Sequence, residues 1–486
     1  MINKILLSLA ISAPVVLSAQ TESSAFTASG RGVATTFVTD YHALGINPAN
    51  LGWDSQYEGK KVTFGMFEIA GSFFSEAFNK GDLRNNLFFG EFDDLTQQER
   101  DQAAEDFVKA RNAADLNIMG IGLAVQTGIG TFAFSSGDNI TWKSKFGEDL
   151  TDLVFYGYQS SYFDSLLLTT GAVIPNTGNY SQDTLDLVVS GTVNPENVKS
   201  LAALLKGSDI ETTWIREFKF GYGTRIYKSD KYQIFAGADL KYLMGMHIIA
   251  FESDGEKAGG FAAVSPIYGL DFEDAPNNPS ANLDNSGALP EPVGQGFGFD
   301  LGLSAIINER LRLGLSFNNI GSMTWDGNVY ELDNILVDDY ENGGVSSLSL
   351  LDQVNSIISS DGVIEWVGKE KMKTTLPKNL RIGAGYDFGE KVRAGLDIVL
   401  PMDEEIGALD KALIGLGGDF IPVKWFRFSM GFLSGGNYDF KIPAGIVFVA
   451  GNGTYEAGIA SRDIITFFAE SDPTISLSTG FLRFRF

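Results

Sequence analysis

The stretch Lys231–Leu243, KYQIFAGADLKYL, decides the fold class. Tyr232, Ile234, Ala236, Ala238, Leu240 and Tyr242 fall on one face of an extended chain, while Gln233, Asp239 and Lys241 fall on the other, which is the period of two that a β-strand imposes. The alternation recurs in LRLGLSF (Leu311, Leu313, Leu315, Phe317), in LRIGAGYDF (Leu380, Ile382, Ala384, Tyr386, Phe388), in VRAGLDIVL from Val392 and in WFRFSMGF from Trp425. A strand buried in a sandwich has no use for charges such as Arg381, Asp397 and Arg427 on its second face, whereas a water-filled lumen tolerates them.

Composition points the same way. The chain carries 56 Gly, 37 Phe and 16 Tyr, the profile of a large aromatic-rich antiparallel sheet. Past the N-terminal twenty residues no apolar run is long enough for a spanning helix, so the chain enters a membrane only as a closed barrel, which satisfies every backbone group. Counting from KKVTFGMFEIAG at Lys60 to the C-terminus gives roughly fourteen strands. Short turns (KSD at Lys228, NE at Asn308, DFGEK at Asp387, IPV at Ile421, GNG at Gly451) alternate with long polar insertions, the asymmetry of periplasmic turns against outer loops. The final FLRFRF sets Leu482, Phe484 and Phe486 opposite Arg483 and Arg485, and a terminal Phe in this pattern resembles the C-terminal signal of bacterial outer-membrane proteins. The expected fold is therefore all-β, a transmembrane antiparallel barrel.

A net charge of −25 argues against nucleic acid and against an anionic lipid surface as partners. Acidic loop text such as FESDGEKAGG and YGLDFEDAPNNPSANLDNSGALPEP reads as solvation of long loops. There is no cysteine, hence no lipid-anchor box, disulfide framework or thiolate metal site. Lys4 ahead of ILLSLAISAPVVLSA, with Ala19-Gln20 as a small-residue cleavage point, reads as a secretory signal peptide over residues 1–19. A transmembrane anchor is the alternative, for which the run is short.

Upstream of the first strand lies GRGVATTFVTDYHALGINPANLGW. It resembles the N-terminal hatch of the FadL-type outer-membrane transporters of long-chain fatty acids and other hydrophobic compounds, in which a Gly- and Ala-rich segment leads to an Asp and then to Asn-Pro-Ala followed by an apolar residue. Gly30, Arg31, Gly32, Ala34, Asp40, Ala43, Asn47, Pro48, Ala49 and Leu51 match that pattern, while Asn50 replaces the Gly often found after the triplet. LPKNLRIGAGYDF from Leu376 is similar to a strand opening of the same family. The resemblance implies a hatch over residues 20–58 inside a barrel formed by residues 59–486, with Gly30, Arg31, Gly32, Asp40, Asn47, Pro48, Ala49 and Leu51 as its signature. Physically, Pro48 fixes its own φ and biases Asn47 toward an extended conformation, while the Asn side chain satisfies local backbone groups; an ordinary turn before the first strand is the plainer reading.

Apolar text in the outer loops suggests receiving elements for a ligand. SLLLTTGAVIP contributes Leu166, Leu167 and Leu168, and NPENVKSLAALLKG reads as a helix with Asn194 as N-cap, Pro195 in the first turn, Gly207 past the end, and Leu201, Leu204 and Leu205 clustered near one face. A second helix is expected from the capping box TQQE at Thr96 through Ala103, Phe107 and Val108 toward Asp115. Short helices at the mouth form a greasy groove in one reading, and simply pack on each other in the other.

In the third strand, GTFAFSSGDNITWK from Gly130, alternation puts Asp138 on the lipid face of Phe132 and Phe134. An unpaired carboxylate about 10 Å inside an outer aromatic girdle costs on the order of 1 to 3 kcal/mol, so a bulge or break over Ser135, Ser136, Gly137, Asp138 and Asn139 is expected. The FadL resemblance implies a kink in this strand as a lateral gate through which a ligand leaves into the lipid. The alternative is that the strand has already left the membrane at Ser135.

Enzyme chemistry has little support. His42 falls in the hatch, and the phase of Tyr242, Met244 and Met246 points His247 inward as a pore-lining polar residue, without a nucleophile motif beside it. NLDNSG at Asn282 resembles half a calcium loop, but its twelfth position is Val293, so no metal or cofactor is assigned. Three functions remain: passive uptake of a hydrophobic small molecule or lipid through a plugged outer-membrane barrel of a Gram-negative cell; a protein-binding shuttle, because the FadL-like superfamily includes the PorV-type barrels of type IX secretion in Bacteroidetes; and a barrel hydrolase.

Overall fold

The computed structural model describes residues 25–79, 96–178, 180–266, 278–281, 290–333, 335–341, 366–436, 438–465, 468 and 473–486. Residues 1–24, which hold the expected signal peptide and the first five residues of the expected hatch, lie outside them, as does the NLDNSG run.

Nineteen strands form one antiparallel sheet among the described residues, and five of these are short rim pieces. The other fourteen are β1 (Val62–Ser75), β2 (Arg111–Thr127), β3 (Gly130–Lys145), β4 (Asp209–Lys228), β5 (Tyr232–Ser253), β6 (Gly294–Ile307), β7 (Leu311–Trp325), β8 (Asn379–Asp387), β9 (Val392–Pro401), β10 (Leu413–Val423), β11 (Phe426–Gly435), β12 (Ala444–Ala450), β13 (Tyr455–Ser461) and β14 (Thr474–Arg485). Each pairs with its neighbours in sequence, and β14 returns to β1 from Thr63↔Arg485 to Phe74↔Thr474, so the sheet closes with no free edge. The all-β barrel expected from the alternation is the fold found.

The faces follow the sequence pattern. Phe220, Leu240 and Leu416 are more than half exposed on the outer wall (55%, 53% and 53%), whereas Asp239, Lys241, Arg381 and Asp397 are buried on the inner one. That is the division of a membrane-spanning barrel, apolar outside and polar within. Among the described residues no helix is long and apolar enough to cross a membrane. Among the described residues, the tight connections between these fourteen strands lie at one end, that of Gly130, Tyr232, Leu311, Val392, Phe426 and Tyr455. At Asn308-Glu309 two consecutive positive φ values (49° and 60°) make the turn.

At the opposite, outer end the loops build a cap with its own core. The helix Gln97–Phe107 starts at the expected capping box, Thr96 with Glu99, but ends before Arg111, where β2 begins. It packs with the helix Glu148–Tyr156 through Phe107, Phe146, Leu150, Leu153 and Phe155 onto Phe73, Ala114 and Trp142 of the strand ends. The helix expected from Asn194 is shorter than its sequence suggests: it spans Leu201–Leu204, with Ser200 as N-cap and Gly207 at φ +76° beyond it. Lys199–Ser200 pair instead with Leu336–Val337, and that tertiary pairing consumes the residues a longer helix needs. SLLLTTGAVIP forms a hairpin, Ser165–Leu168 with Val173–Pro175, in a separate four-stranded cap sheet.

The break expected at Ser135, Ser136, Gly137, Asp138 and Asn139 is absent. These residues pair without interruption with Lys219–Ile215 of β4, and the irregularity on their other side lies on β2, between Met119 and Ile121. Asp138 stays on the outer face and is compensated there. Register sets Arg216 directly opposite, with Nε 3.0 Å from Oδ1, and Trp214 Nε1 donates to the same oxygen at 2.8 Å. Paired and hydrogen-bonded, the carboxylate no longer needs a bulge to turn it away. His247 is a second correction. A register shift between Trp214↔His247 and Ile215↔Gly245 makes Met246 the extra residue and flips the phase. His247 then shares the face of Trp214 and meets Thr212 Oγ1 at 2.9 Å, while Ile248 takes the lumenal side.

Candidate functional site

The N-terminal segment runs inside the barrel from Ala25 to Trp53 and is fastened in nearly every direction. Gly32 (φ +67°) and Asp40 (φ +51°) turn the chain, and a Cβ on Gly30 would overlap the backbone of Gly445 in β12. Arg31 Nη1 donates to both oxygens of Asp419 on β10 (2.8 and 2.7 Å), and both residues are buried. The N–H groups of Ala34 and Thr35 converge on Asp397 Oδ2 of β9 at 2.6 and 2.8 Å. On β14, Arg483 Nη2 reaches Asp40 at 2.6 Å; on β1, Glu68 takes Tyr41 Oη at 2.6 Å and lies 2.6 Å from His42 Nε2.

The Asn-Pro-Ala turn sits against β4, β5, β6 and β7. Asn47 Oδ1 accepts from Ala49 N (3.2 Å) and caps the one-turn helix Pro48–Gly52, while its Nδ2 donates to Leu303 O (3.3 Å). Asn318 Nδ2 donates to Gly45 O and Ser316 Oγ to Ile46 O, at 2.9 and 2.6 Å. The wall makes room with glycine: a Cβ on Gly237 or Gly302 would overlap Pro48 or Asn47. Asn50 has a job where the family pattern often has Gly, because its Nδ2 ties Thr35 O and Val38 O together at 2.9 and 3.0 Å. Gly30, Arg31, Gly32, Asp40, Asn47, Pro48, Ala49 and Leu51 thus all lie in the lumen.

This segment separates two chambers. Toward the outer end is a cavity of about 1130 Å³, open mouth included, with Leu243, Ile248, Met323, Trp325, Leu376 and Leu409 among its walls. Charged pairs mark its lower rim and the wall beneath it: Lys219 with Glu217 at 2.6 Å and Lys241 with Asp300 at 2.9 Å. A strap, residues 402–412 between β9 and β10, crosses above. Gly407 N donates to Glu211 of β4 at 3.1 Å, and Lys143 Nζ of β3 donates to Ala408 O and Asp410 at 3.0 Å each. Lys143 stands thirteen residues along β3, beyond the roughly 9–11 that cross a membrane. Burial pulls its ammonium pKa down, but Glu211 and Asp410 outweigh burial and hold it above the ordinary lysine value. Toward the short-turn end is a polar chamber of about 820 Å³, its open mouth included, reached by Arg31, Asp40, Asp419, Arg427, Glu456 and Arg483.

The loop leucines are not brought to the cavity. Leu166, Leu201, Leu204 and Leu205 are fully buried, the last three in the cap core, and neither they nor the half-buried Leu167 and Leu168 face it. Of the residues that do line it, the sequence had singled out Asn139, as part of an expected break, and Arg381, as a lumenal charge; the apolar ones went unremarked as a lining, although Leu243 carried a signal: it repeats the lumenal phase of Asp239 and Lys241 with an apolar side chain. Ile248 carried none, because only the Met246 bulge turns it inward.

No curated protein matches the chain. Among solved structures it is similar to the toluene transporter TbuX of Ralstonia pickettii (10% identity, 96% of this chain and 99% of that one, TM-score 0.46) and the toluene transporter TodX of Pseudomonas putida (9%, 97% and 98%, TM-score 0.43). It is also similar to a FadL homologue of Pseudomonas aeruginosa (11%, 96% and 98%, TM-score 0.36). A family described only as DUF5723, of unknown function, matches residues 168–441, which is more than half of the chain, and to that family this protein belongs.

Proposed function

We propose that the protein is an outer-membrane channel for passive uptake of a hydrophobic small molecule, a long-chain fatty acid or a compound of like character, taken from the outer side into the cavity between strap and lumenal segment. The observation that carries this reading is the lining of that cavity. Leu243, Ile248, Met323, Trp325, Leu376 and Leu409 converge there from four separate stretches of chain, in a lumen that carries charged pairs close by. Residues 25–53 act as the plug, because a polar lumen without one leaks small solutes. The test is equilibrium binding of a fluorescent fatty acid to detergent-purified protein. Met323→Glu and Leu243→Glu are expected to weaken it at least tenfold with the heat-modifiable barrel intact, and unchanged binding in both variants rules the cavity out.

Release sideways into the membrane is the second half of the proposal, placed away from β3. Ladder pairing of β7 with β8 ends at Asn318↔Asn379, and β7 is paired again only from Ser322↔Thr375, with the short rim strand Met372–Thr375. In between, Pro377 has no N–H to give, Leu376 N still donates to Gly321 O at 3.1 Å, and Asn319 Nδ2 patches Pro377 O at 3.1 Å. Asn319, Leu376 and Pro377 all border the cavity. An oxidised Ile320→Cys/Pro377→Cys pair is expected to keep ligand binding and block transfer into liposomal lipid until reduced. Transfer at the wild-type rate through the locked seam refutes lateral release there.

A further inference from the structure

We propose that the chamber at the short-turn end binds an oxyanion, a carboxylate or phosphate group presented from the periplasmic side of the plug. Seven basic and four acidic side chains line it, in a protein whose net charge is −25, so the local surplus reflects placement and not composition. The four acids are already engaged. Asp419 takes Arg31 and, at 2.6 Å, Ser429 Oγ; Glu456 takes Arg427 (3.0 Å), Arg483 (2.9 Å) and Arg485; Asp40 takes Arg483; and Asp54 takes Arg225 at 2.8 Å.

Donor capacity is left over on the basic side. Arg427 and Arg483 each keep an Nε–H that finds no acceptor among the described residues, and Arg483 is only 2% exposed. Lys60 donates to a neutral hydroxyl, Thr454 Oγ1 at 2.8 Å, and Arg393 to the neutral Gln56 Oε1 at 3.3 Å. Arg393 also lies 3.6 Å from Asp387, which Arg312 already holds at 2.5 Å. A desolvated guanidinium with a free N–H is costly, and its planar fork matches a carboxylate or phosphate. Low-dielectric walls around a cationic surplus draw an anion inward and keep the attraction from being screened. The hydrophobic cavity lies across the plug, so this site stands whether or not the uptake reading holds.

The probes are inorganic phosphate, acetate and the soluble phospholipid dihexanoylphosphatidic acid, titrated calorimetrically into the full-length protein in neutral detergent at low salt. Saturable binding is expected, weakened more than tenfold by Lys60→Gln/Arg393→Gln and progressively by added chloride. A phospholipid bound at least tenfold more tightly than phosphate identifies a lipid headgroup as the source, and equal affinities identify a free anion. Should the double variant lose its heat-modifiable fold, the single variants Lys60→Gln and Lys61→Gln, at the chamber's edge, carry the test with a severalfold loss expected from each. Absence of saturable binding by all three probes, or affinities unmoved in the folded variants, overturns the proposal.

Discussion

Arg31 and Asp419 illustrate what a single residue decides in this lumen. Arg31 Nη1, shared between the two carboxylate oxygens of Asp419, joins the N-terminal segment to β10, with both side chains buried. Removing one partner strands a charge, whereas removing both leaves an apolar contact that costs little. Arg31→Met is therefore expected to lower stability by about 3 kcal/mol, and Arg31→Met/Asp419→Leu by much less, read as urea midpoints of the barrel refolded in lipid vesicles. Asn47 is the second test. Its side chain caps Ala49 N and reaches Leu303 O, so Asn47→Ala is expected to cost about 1 to 2 kcal/mol locally and to impair uptake while the heat-modifiable barrel persists. Loss of the folded barrel in this variant makes the turn a structural element and not a part of the plug. Asn47 was legible because Asn-Pro is a local conformational device; the Arg31 partner was not, since 388 residues separate the two and nothing local points from one to the other.

At the scale of elements, β3 with β4 and the strap over the mouth show how register and loop course complete what a strand pattern leaves open. Asp138 and Arg216 meet on the outer wall because the β3–β4 register sets them opposite each other. Arg216→Ala is expected to destabilise the barrel by about 1 to 3 kcal/mol by leaving Asp138 unpaired toward the membrane, and Asp138→Ala/Arg216→Ala to recover most of that loss in vesicle unfolding. The strap depends on Lys143, which holds Ala408 O and Asp410 while Glu211 of the same cluster takes Gly407 N. Lys143→Ala is expected to release it and raise the association rate of a fluorescent hydrophobic ligand severalfold in stopped flow. An unchanged rate means that the strap does not limit entry.

For the whole molecule the governing relation is between the closed wall and the segment inside it. Deleting residues 25–53 is expected to convert the barrel into an open pore with large, steady conductance in planar bilayers, and unchanged conductance refutes the plug. The wall itself was readable from the chain. Alternation is a local property with a period of two, so Leu240 outward and Lys241 inward follow from a dozen residues, and the asymmetry of turns gives the barrel its two ends. The Asn-Pro-Ala text by its local chemistry indicated only a turn, and its resemblance to a known hatch is what pointed to the segment that lies in the lumen. What only the tertiary structure decided is everything set by pairing between distant segments. An extra residue at Met246 reverses the face of His247 and Ile248, and Arg216 relieves Asp138 of the bulge expected from its sequence. Leu201, Leu204 and Leu205 close a cap core instead of facing a ligand, because an apolar loop residue looks the same in sequence whether it buries against its own chain or waits for a partner. The cavity is assembled from strands and a strap hundreds of residues apart, and the surplus of cations beneath the plug arises from where an acidic chain happens to spend its few arginines.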